Sequence, residues 1–456
     1  MDSPSTIPWL TRLGRFSVVA LLVVRVYSGY KLRQLFGLAT GRRNEPDFYD
    51  ARHLRSACLL RDTAIRLEGL LIKVCQFIGT RADVLPPEFV RVLAELQDRV
   101  PPKPFELLRP RLEETLACRI EERFTEFDPK PVASASLAQV HRGVLDDGRE
   151  VAVKIQYPGI AELVESDLAT FGFFIRALAR IEPFFDFRFL LQEIETYIPA
   201  ELNFVGEAAH ARRFAENFAD DESITFPKPI EELSSATVLI MSFEPGVKVN
   251  DLAGLEAQGT DKQTVATLLT GAYLRQILEH GFFHGDPHPG NLLVRPGPVL
   301  VILDLGLAKE LSRDTRIAFL KLTAAIIGRD AKTIGACFRD LGFETREGGD
   351  DTFVTLAELM LGQAFEAKQA YADAAMMDRI GDELMAALRA NPLVRASSDP
   401  LLIMRVMGLL SGIGKQLDSK VNPLAAILPF VTRALGVKPP TKEGPPASGG
   451  DPAGAD

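Results

Sequence analysis

The sequence predicts an α+β chain with a small strand-rich lobe and a larger helical lobe, preceded by a helical extension. Three observations predict this arrangement. Apolar runs on either side of the turn Asp146-Asp147-Gly148 indicate a β-hairpin. Long stretches of helical periodicity lie before and after that hairpin. Downstream, a loop rich in Pro and Gly precedes an apolar strand that ends in an aspartate.

That loop and strand indicate binding of a metal ion and a nucleotide. The loop, His284–Asn291, offers Asp286 and Asn291, and Asp304 follows the apolar run Val299–Leu303. Carboxylate and amide oxygens at such positions can hold Mg²⁺ against nucleotide phosphates. The same order is found in the catalytic loop and metal-binding aspartate of protein kinases. We therefore expect a bilobed protein-kinase-like fold that binds ATP or ADP with Mg²⁺, in which Asn291 and Asp304 hold the metal and Asp286 acts as a general base.

Composition limits the classes of partner. The chain has 456 residues, of which 46% are hydrophobic and 25% charged, and its net charge is −9. An acidic balance argues against nucleic-acid binding, which requires a basic surface. The four cysteines form no CxxC pair, so a reducing compartment is expected. We predict a cytoplasmic protein.

Residues 1–45 differ from the rest. Between Arg12 and Arg43 there are seven basic residues and no acidic residue, and Trp9, Tyr27 and Tyr30 lie among apolar positions. No run reaches the roughly 18 apolar residues of a membrane span. Two readings remain open: a basic amphipathic helix on a membrane surface, or a helix that packs on the protein's own body. The first reading predicts a location peripheral to the inner (plasma) membrane.

The extension, residues 46–122, is predicted to be helical. Its helices are expected in the proline-free stretch Arg52–Ile78, at Glu88–Asp98 and at Pro104–Leu116. The first of these leads into a polar group that comprises Lys73, Gln76, Arg81 and Asp83. Considered without the rest of the chain, this group favours a solvated helix face.

The small lobe is expected at residues 123–246, with a strand at Phe124–Phe127 and a helical insertion. An Ala-rich loop occupies the place of a kinase Gly-rich loop, and Lys154 ends the V-A-V-K strand. Alanine adds a Cβ at each point, so phosphate contacts should differ from those of an ordinary kinase. The predicted nucleotide contacts are Ala133, Ala135, Ser136, Ala138, Val140, Lys154 and Met241.

A helical glutamate should pair with Lys154 and orient it towards the phosphates. Glu201 and Glu207 are six residues apart, and Glu207 is preferred because it opens the helical run through Phe214. A strand at residues 237–243 then leads to a hinge at about Met241–Gly246, where a backbone group would bind adenine. The sequence does not indicate which amide does so.

The large lobe is expected at residues 247–438, followed by a disordered tail at 439–456 that is rich in Pro, Gly and Ala. Helical periodicity predicts core helices after Asp304. They are expected at about 312–328, 329–342, 351–370, 373–391 and 398–416.

Together these motifs resemble the UbiB/AarF family of atypical, protein-kinase-like proteins over roughly residues 50–435. The matching positions are Lys73, Gln76, Arg81, Asp83, Pro86, Leu96, Gln97, Asp98, Pro101 and Pro102 in the extension, then Ala133, Ala135, Ala138, Lys154, Glu207, Asp286, Asn291 and Asp304. Three positions depart from the family pattern: Cys75 replaces the glycine of K-x-G-Q, Asn203 the aspartate of E-x-D, and Leu305 the phenylalanine of D-F-G.

The resemblance implies that the extension folds over the active site and occupies the place where a protein substrate would dock. Lys73, Gln76 and Glu201 then become regulatory site residues, with Lys73 contacting Glu201 or phosphate. The implied activity is ATP binding and hydrolysis, or phosphorylation of a small molecule or lipid. It would support isoprenoid-quinone biosynthesis or membrane-lipid homeostasis. The implied partners are quinone or lipid intermediates, quinone-biosynthesis enzymes and a membrane surface.

Three alternative interpretations concern the loop histidines and the function of the chain. His284 and His288 could be metal ligands, but their Pro/Gly loop favours structural roles. The chain could instead be a nucleotide-gated, catalytically weak pseudokinase scaffold that presents lipid or quinone intermediates to other enzymes. A third reading, an antibiotic phosphotransferase, fits residues 284–291 but does not explain residues 73–102.

Overall fold

The computed structural model describes residues 8–42, 45–79, 85–96, 102–181, 188–364, 391, 393–395 and 397–434. It has the mixed α+β content that the sequence predicts. Within the described residues the chain forms two compact units. The first comprises the described residues within Met1–Leu268, His284–Lys309 and Leu402–Leu417, and the second comprises those within Leu269–Phe283, Glu310–Leu401 and Asp418–Asp456.

Helices and strands are numbered here in chain order. The described helices are α1 Trp9–Thr40, α2 Asp50–Leu67, α3 Leu70–Gly79, α4 Pro87–Ala94, α5 Arg109–Leu116, α6 Ile120–Arg123, α7 Ile160–Ile181, α8 Arg188–Glu201, α9 Phe204–Asn217, α10 Leu252–Ala257, α11 Lys262–Leu274, α12 Arg313–Gly328, α13 Ala331–Asp340, α14 Asp351–Ala364, α15 Ser398–Gln416 and α16 Pro423–Ala434. The described strands are β1 Phe124–Phe127, β2 Ala133–Ser134, β3 Ala138–Leu145, β4 Glu150–Gln156, β5 Ile224–Thr225, β6 Val238–Ser242, β7 Val247–Lys248, β8 Phe282–His284, β9 Leu292–Arg295, β10 Val299–Ile302, β11 Ala308–Glu310, β12 Glu344–Thr345 and β13 Leu393–Arg395.

The first unit contains an antiparallel sheet in the order β1-β3-β4-β6, with β2 paired to β3. Its β3–β4 hairpin turns at the predicted Asp146-Asp147-Gly148. Gly148 has a φ of 86°, which glycine adopts without a steric penalty. The hairpin prediction and the strand at Phe124–Phe127 are therefore confirmed.

Side-chain alternation in β4 aims Lys154 away from the core. Val151, Val153 and Ile155 are fully buried, and Lys154 lies between them on the opposite face of the sheet. The buried face belongs to a cluster that includes Leu112 of α5. Since each pair of successive residues points to opposite faces, this packing fixes the direction of the Lys154 side chain.

A second sheet of the first unit, in the order β5-β10-β9-β7, aligns the two predicted metal residues. In its β9–β10 pair, Leu292 lies opposite Ile302. Asn291 immediately precedes β9, and the backbone N–H of Leu303 donates to its carbonyl oxygen over 2.8 Å. Asn291 and Asp304 therefore meet at one end of this hairpin.

The extension contains a break that the sequence analysis did not predict. Helix α2 ends at Leu67, and Glu68 and Gly69 have φ values of 55° and 61° before α3 begins. A Cβ on Gly69 would lie 3.2 Å from Leu163 of α7, so close packing as well as the positive φ favours glycine here. The new helix α3 carries Lys73 and Gln76.

Two helix boundaries in the extension were wrong. The predicted helix Glu88–Asp98 spans Pro87–Ala94. The predicted helix Pro104–Leu116 is a 3₁₀ turn at Phe105–Leu107 followed by α5. Pro110 in the first turn of α5 explains the second error, because proline is favoured at a helix start. Arg81, Asp83, Gln97, Asp98 and Pro101 lie outside the described residues.

Helix α1 packs on the protein's own body, as one of the two readings predicts. Arg15 forms an ion pair with Asp167 of α7 and donates to the carbonyl oxygen of Leu67 over 2.6 Å. The ring of Phe16 stacks on Phe174 with centroids 5.2 Å apart. Among the described residues, no helix has both the length and the hydropathy to cross a bilayer.

The other face of α1 is exposed and apolar. Its exposed large apolar residues are Trp9, Leu10, Leu13, Leu21, Val24, Leu32, Leu35, Phe36 and Leu38. Spacings of three, eight and eleven residues keep most of them on one side of the helix. Arg12 and Arg25 are also exposed on this helix, which has no acidic residue. Packing on the body therefore leaves a long apolar face in solvent.

The second unit is mostly helical. Its helices α12 and α13 match the predictions at 312–328 and 329–342 closely. Helix α14 begins at the predicted 351 and is described to Ala364. Helix α16 was not predicted, and its two prolines, Pro423 and Pro429, obscured the helical pattern. The predicted helix at 373–391 and the predicted tail at 439–456 fall almost wholly outside the described residues.

Helix α9, which carries Glu207, begins at Asn203. The Asn203 side-chain oxygen accepts from the backbone N–H of Gly206 over 3.0 Å, as an N-cap does. We predict that Asn203→Ala lowers stability by about 1 kcal/mol, or roughly 2 °C in Tm. Asn203→Asp keeps the cap and serves as the control in thermal unfolding. Equal Tm values for the Ala and Asp variants would contradict this account of the cap.

Candidate active site

A cavity of about 600 Å³ lies within the first unit. Strands of the first sheet, α8, the His284–Asn291 loop and Asp304 contribute to its lining. Every predicted site residue lines it: Lys73, Gln76, Ala133, Ala135, Ser136, Ala138, Val140, Lys154, Glu201, Glu207, Met241, Asp286, Asn291 and Asp304. Residues from five separate stretches of sequence thus come together in one place.

Lys154 lies between two carboxylates. Its ammonium donates to both oxygens of Glu207 over 2.8 and 2.9 Å, and to Asp304 over 2.7 Å. The side chains of Lys154 and Glu207 are 13% and 4% exposed, whereas that of Asp304 is 46% exposed. The ring of Phe204 lies beneath, 5.2 Å from the ammonium. Glu207 is thus the inner partner of Lys154, and Asp304 is the partner that faces the cavity.

The protonation states of Lys154, Glu207 and Asp304 follow from their burial and from their proximity to one another. Burial raises the pKa of Glu207 to about 7, although Lys154 opposes the shift. The ammonium of Lys154 holds the pKa of Asp304 well below its usual value. Burial alone would lower the pKa of Lys154, but Asp304 and Glu207 together raise it. At neutral pH, Lys154 is therefore positively charged and Asp304 is negatively charged.

Both loop histidines bond to the backbone. The Nε2–H of His284 donates to the carbonyl oxygen of Asp304 over 3.0 Å, and burial lowers the pKa of this fully buried imidazole. His288 accepts from the backbone N–H of Gly290 through Nδ1 over 3.2 Å. Asp304 itself has a φ of 54°, a strained conformation that is often found at functional sites. The histidines support the loop rather than a metal ion.

The two predicted metal ligands, Asn291 and Asp304, offer oxygen donors. The Asn291 side-chain N–H donates to the carbonyl oxygen of Asp286 over 3.2 Å, so its amide oxygen is not used in that contact. No cluster of three or more His, Cys, Asp or Glu suited to a metal occurs in the described part of the chain. Two oxygen ligands still fit Mg²⁺, which usually keeps several waters and binds substrate phosphates. Asn291 and Asp304 are therefore suitable for Mg²⁺ that arrives with a nucleotide.

The Ala-rich loop, Ala133–Ala138, closes on itself. The backbone N–H of Ala135 donates to the carbonyl oxygen of Ala138 over 2.8 Å. Ser136, near the tip, is 3% exposed, and its hydroxyl has no partner among the described groups. A buried hydroxyl without a partner is costly, and a nucleotide phosphate would satisfy it. Nucleotide binding at this loop therefore fits the residues present.

The hydrogen bonds of the hinge limit which backbone N–H groups are available to adenine. The N–H groups of Ser242 and Phe243 donate to the carbonyl oxygens of Lys228 and Glu150. The N–H of Glu244 comes next along the hinge and, among the described groups, donates to no acceptor. The Glu244 carboxylate accepts from the hydroxyl of Ser242 and pairs with Arg295 over 3.0 Å. Glu244 also lines the cavity, so its N–H is a candidate to meet an adenine edge.

The extension reaches the cavity through α3. Lys73 forms an ion pair with Glu201 of α8 over 2.5 Å, and both side chains are less than a quarter exposed. The side-chain N–H of Gln76 donates to the carbonyl oxygen of Leu96 over 2.8 Å, which ties α3 to the residues after α4. The predicted contact between Lys73 and Glu201 is therefore present.

Comparison with known proteins decides the family. Residues 95–337 match the ABC1 atypical kinase-like domain. The chain belongs to the ABC1 atypical kinase-like family. The UbiB/AarF resemblance and the kinase-like fold class are confirmed. The family match includes Lys154, Glu207, Asp286, Asn291 and Asp304.

Relatives of this ABC1-family chain extend the match beyond that domain. Activity of bc1 complex kinase 7 of Arabidopsis thaliana, named as chloroplastic, is 32% identical over 86% of the chain. AarF domain-containing protein kinase 1 of Xenopus tropicalis is 34% identical over 73%. The chain spans 56% and 64% of these two relatives' own lengths. Rv3197 of Mycobacterium tuberculosis, solved as a complex with erythromycin, is 25% identical and superposes over 86% of the chain and all of Rv3197 with a TM-score of 0.57.

The structure gives physical reasons for the departures from the UbiB/AarF motifs. Cys75 is fully buried among apolar residues of the extension, does not line the cavity, and burial raises the pKa of its thiol. Asn203 caps α9, a task for which asparagine and aspartate are equally suited. Leu305 is 2% exposed, and its carbonyl oxygen accepts from Nδ1 of His210 over 3.0 Å. All three residues serve packing or capping.

Two features of the ABC1-family site were missed by the sequence analysis. Arg405 of α15 lines the cavity and lies 3.4 Å from Asp286, although 119 residues separate them. The pair of Glu244 and Arg295 links the hinge to β9. No local motif marks either feature, because each depends on the fold bringing distant residues together.

Removing the central cation should destabilise the first unit. We predict that Lys154→Met costs roughly 3 kcal/mol at pH 8, because it leaves the carboxylate of Glu207 buried without a cation. The pKa of Glu207 in the folded protein is raised above its unfolded value, so this penalty grows as pH rises through about 7 and shrinks below it.

The double variant Lys154→Met/Glu207→Gln supplies the control. It should recover more than half of the lost stability and show little dependence on pH between 5.5 and 8. Thermal unfolding at the two pH values measures both effects. A single variant that is equally destabilised at pH 5.5 and 8 would contradict the assignment of Glu207.

Proposed function

We propose that the chain binds Mg·ATP in this cavity and transfers the γ-phosphoryl group to water or to a hydroxyl of a small molecule or lipid. The process served would be isoprenoid-quinone biosynthesis or membrane-lipid homeostasis. The observation that carries the proposal is the convergence of Lys154, Glu207, Asp286, Asn291 and Asp304 in one cavity. These side chains supply the charges and oxygen ligands that phosphoryl transfer requires.

The nucleotide would lie along the first sheet. Glu244 N–H would bind the adenine edge, Ser136 and the backbone of the Ala-rich loop the phosphates, and Lys154 the α- and β-phosphate oxygens. Asn291 and Asp304 would hold Mg²⁺, which neutralises phosphate charge when bound. Alanine rather than glycine in the loop limits how closely the backbone approaches the phosphates.

Asp286 would act as the general base for the phosphate acceptor. As the acceptor oxygen bonds to the γ-phosphorus, the bond from that phosphorus to the β–γ bridging oxygen breaks, and the acceptor proton passes to the Asp286 carboxylate. ADP leaves with the bridging oxygen. The side chain of Asp286 is 31% exposed, so it can meet an oxygen within the cavity.

The pairing of Lys73 with Glu201 supports a small acceptor. Because this ion pair lies at the cavity wall, the extension would cover part of the approach that a folded protein substrate would need. Protein phosphorylation in trans is therefore not the activity proposed. Water, a small metabolite or a lipid headgroup could still reach Asp286.

A second function, a nucleotide-gated scaffold with slow turnover, is favoured by one observation. Both aspartates of the site are paired with cations, Asp304 with Lys154 and Asp286 with Arg405. A scaffold would need ATP binding but not the base. In that case Asp286→Asn would support growth of a null strain as well as the wild type does, and loss of Lys154 would not.

Mg²⁺-dependent phosphate release by the purified chain tests the proposed activity. We expect Asp304→Asn to reduce it by about 100-fold or more, because a metal ligand and its charge are lost. Asp340→Asn, an exposed aspartate at the end of α13, is the matched control and should retain the wild-type rate. Equal rates in wild type and Asp304→Asn would overturn the proposal.

We also propose that the exposed face of α1 lies on an anionic membrane surface, which supports a peripheral location at the inner membrane. We expect Leu21→Glu/Leu35→Glu to weaken binding to anionic liposomes at least about tenfold, since each leucine would contribute roughly 1.5–3 kcal/mol. Leu107→Glu changes an exposed leucine outside α1 and is the control. If the α1 variant floats with the liposomes as well as the wild type does, this part of the proposal is wrong.

A further inference from the structure

Asp286 has a cationic neighbour from a distant part of the chain. The Arg405 guanidinium, on α15, lies 3.4 Å from one Asp286 oxygen. Its side chain is 11% exposed, and it lines the same cavity as Asp286 and Lys73. Holding a guanidinium so nearly buried is costly unless its charge is used. The burial of this charge therefore indicates that Arg405 acts within the site.

The contact of Arg405 differs from the ion pairs of Lys154 and Lys73. Lys154 and Lys73 each lie within 2.8 Å of a carboxylate oxygen, typical of a tight ion pair. The 3.4 Å contact with Asp286 is longer than a charge-assisted hydrogen bond of about 2.7–2.9 Å. A guanidinium holds its N–H donors in a rigid fork, so it fixes the direction from which Arg405 contacts Asp286.

The position of Arg405 suits the acceptor side of the reaction. A carboxylate beside bound ATP is repelled by the phosphates, and this repulsion disfavours an Asp286 side chain that faces inward. A neighbouring guanidinium offsets the repulsion. Lys154, Glu207 and Asp304 form a separate group around the phosphate end, where nucleotide affinity should be determined.

We infer that Arg405 is a positioning residue for phosphoryl transfer: it holds the Asp286 carboxylate turned towards the acceptor oxygen, and it contributes little to nucleotide binding. This inference rests on the proposed function. The opposite role, an inhibitory contact that withholds Asp286 from the acceptor, predicts the reverse effect on rate. The two roles can therefore be separated by the sign of the change in kcat.

Steady-state ATP hydrolysis and Mg·ATP binding by the full chain test the inference. We expect Arg405→Met to lower kcat by about 10- to 100-fold while the Kd for Mg·ATP changes less than about threefold. Arg405→Lys keeps the charge and should recover part of the rate. Lys415→Met removes an exposed cation from the same helix and should leave both constants unchanged. In an Asp286→Asn background, Arg405→Met should have no further effect on kcat.

An unchanged or raised kcat in Arg405→Met would overturn the inference while leaving the proposed function intact. So would a Kd that weakens by the same factor as kcat, or a loss in Asp286→Asn/Arg405→Met that is the product of the two single losses. A wild-type chain that binds Mg·ATP but releases no phosphate would overturn the proposed activity, and the inference would fail with it.

Discussion

The site depends on one ammonium group. Lys154 joins strand β4, helix α9 through Glu207, and the end of the β9–β10 hairpin through Asp304. Three elements that are far apart in sequence are thereby held around a single charge. The inner contact is buried and the outer contact faces the cavity, so the same residue can support the fold and remain available to phosphate oxygens. Substitution of Lys154 would therefore affect both stability and nucleotide binding.

Pairings of a cation with a carboxylate recur around the cavity. Lys154 with Glu207 and Asp304, Lys73 with Glu201, and Arg405 with Asp286 bring β4, α3 and α15 to one site. Each pairing balances charge that would otherwise be costly to hold in a cavity. The arrangement also links the extension to the site, since Lys73 lies on α3 and α3 is tied to the chain after α4 by Gln76.

The sequence was sufficient for features that depend on local pattern. The Asp-Gly turn predicted the hairpin, and the position of Glu207 at the start of a helical run identified the partner of Lys154. Features set by packing were not predictable in this way. Helix α7 packs closely on Gly69 at the break after α2, and Arg405 reaches Asp286 from 119 residues away. The hinge amide could be chosen only once the bonds of Ser242 and Phe243 were known.

A crystal structure of the full chain with Mg·ADP would test the central claim most directly. The account predicts adenine on the N–H of Glu244, phosphate oxygens on Lys154, and the metal ion on Asn291 and Asp304, with Lys154 still bonded to Glu207. A nucleotide bound outside this cavity, or a metal ion that does not contact Asp304, would contradict the account.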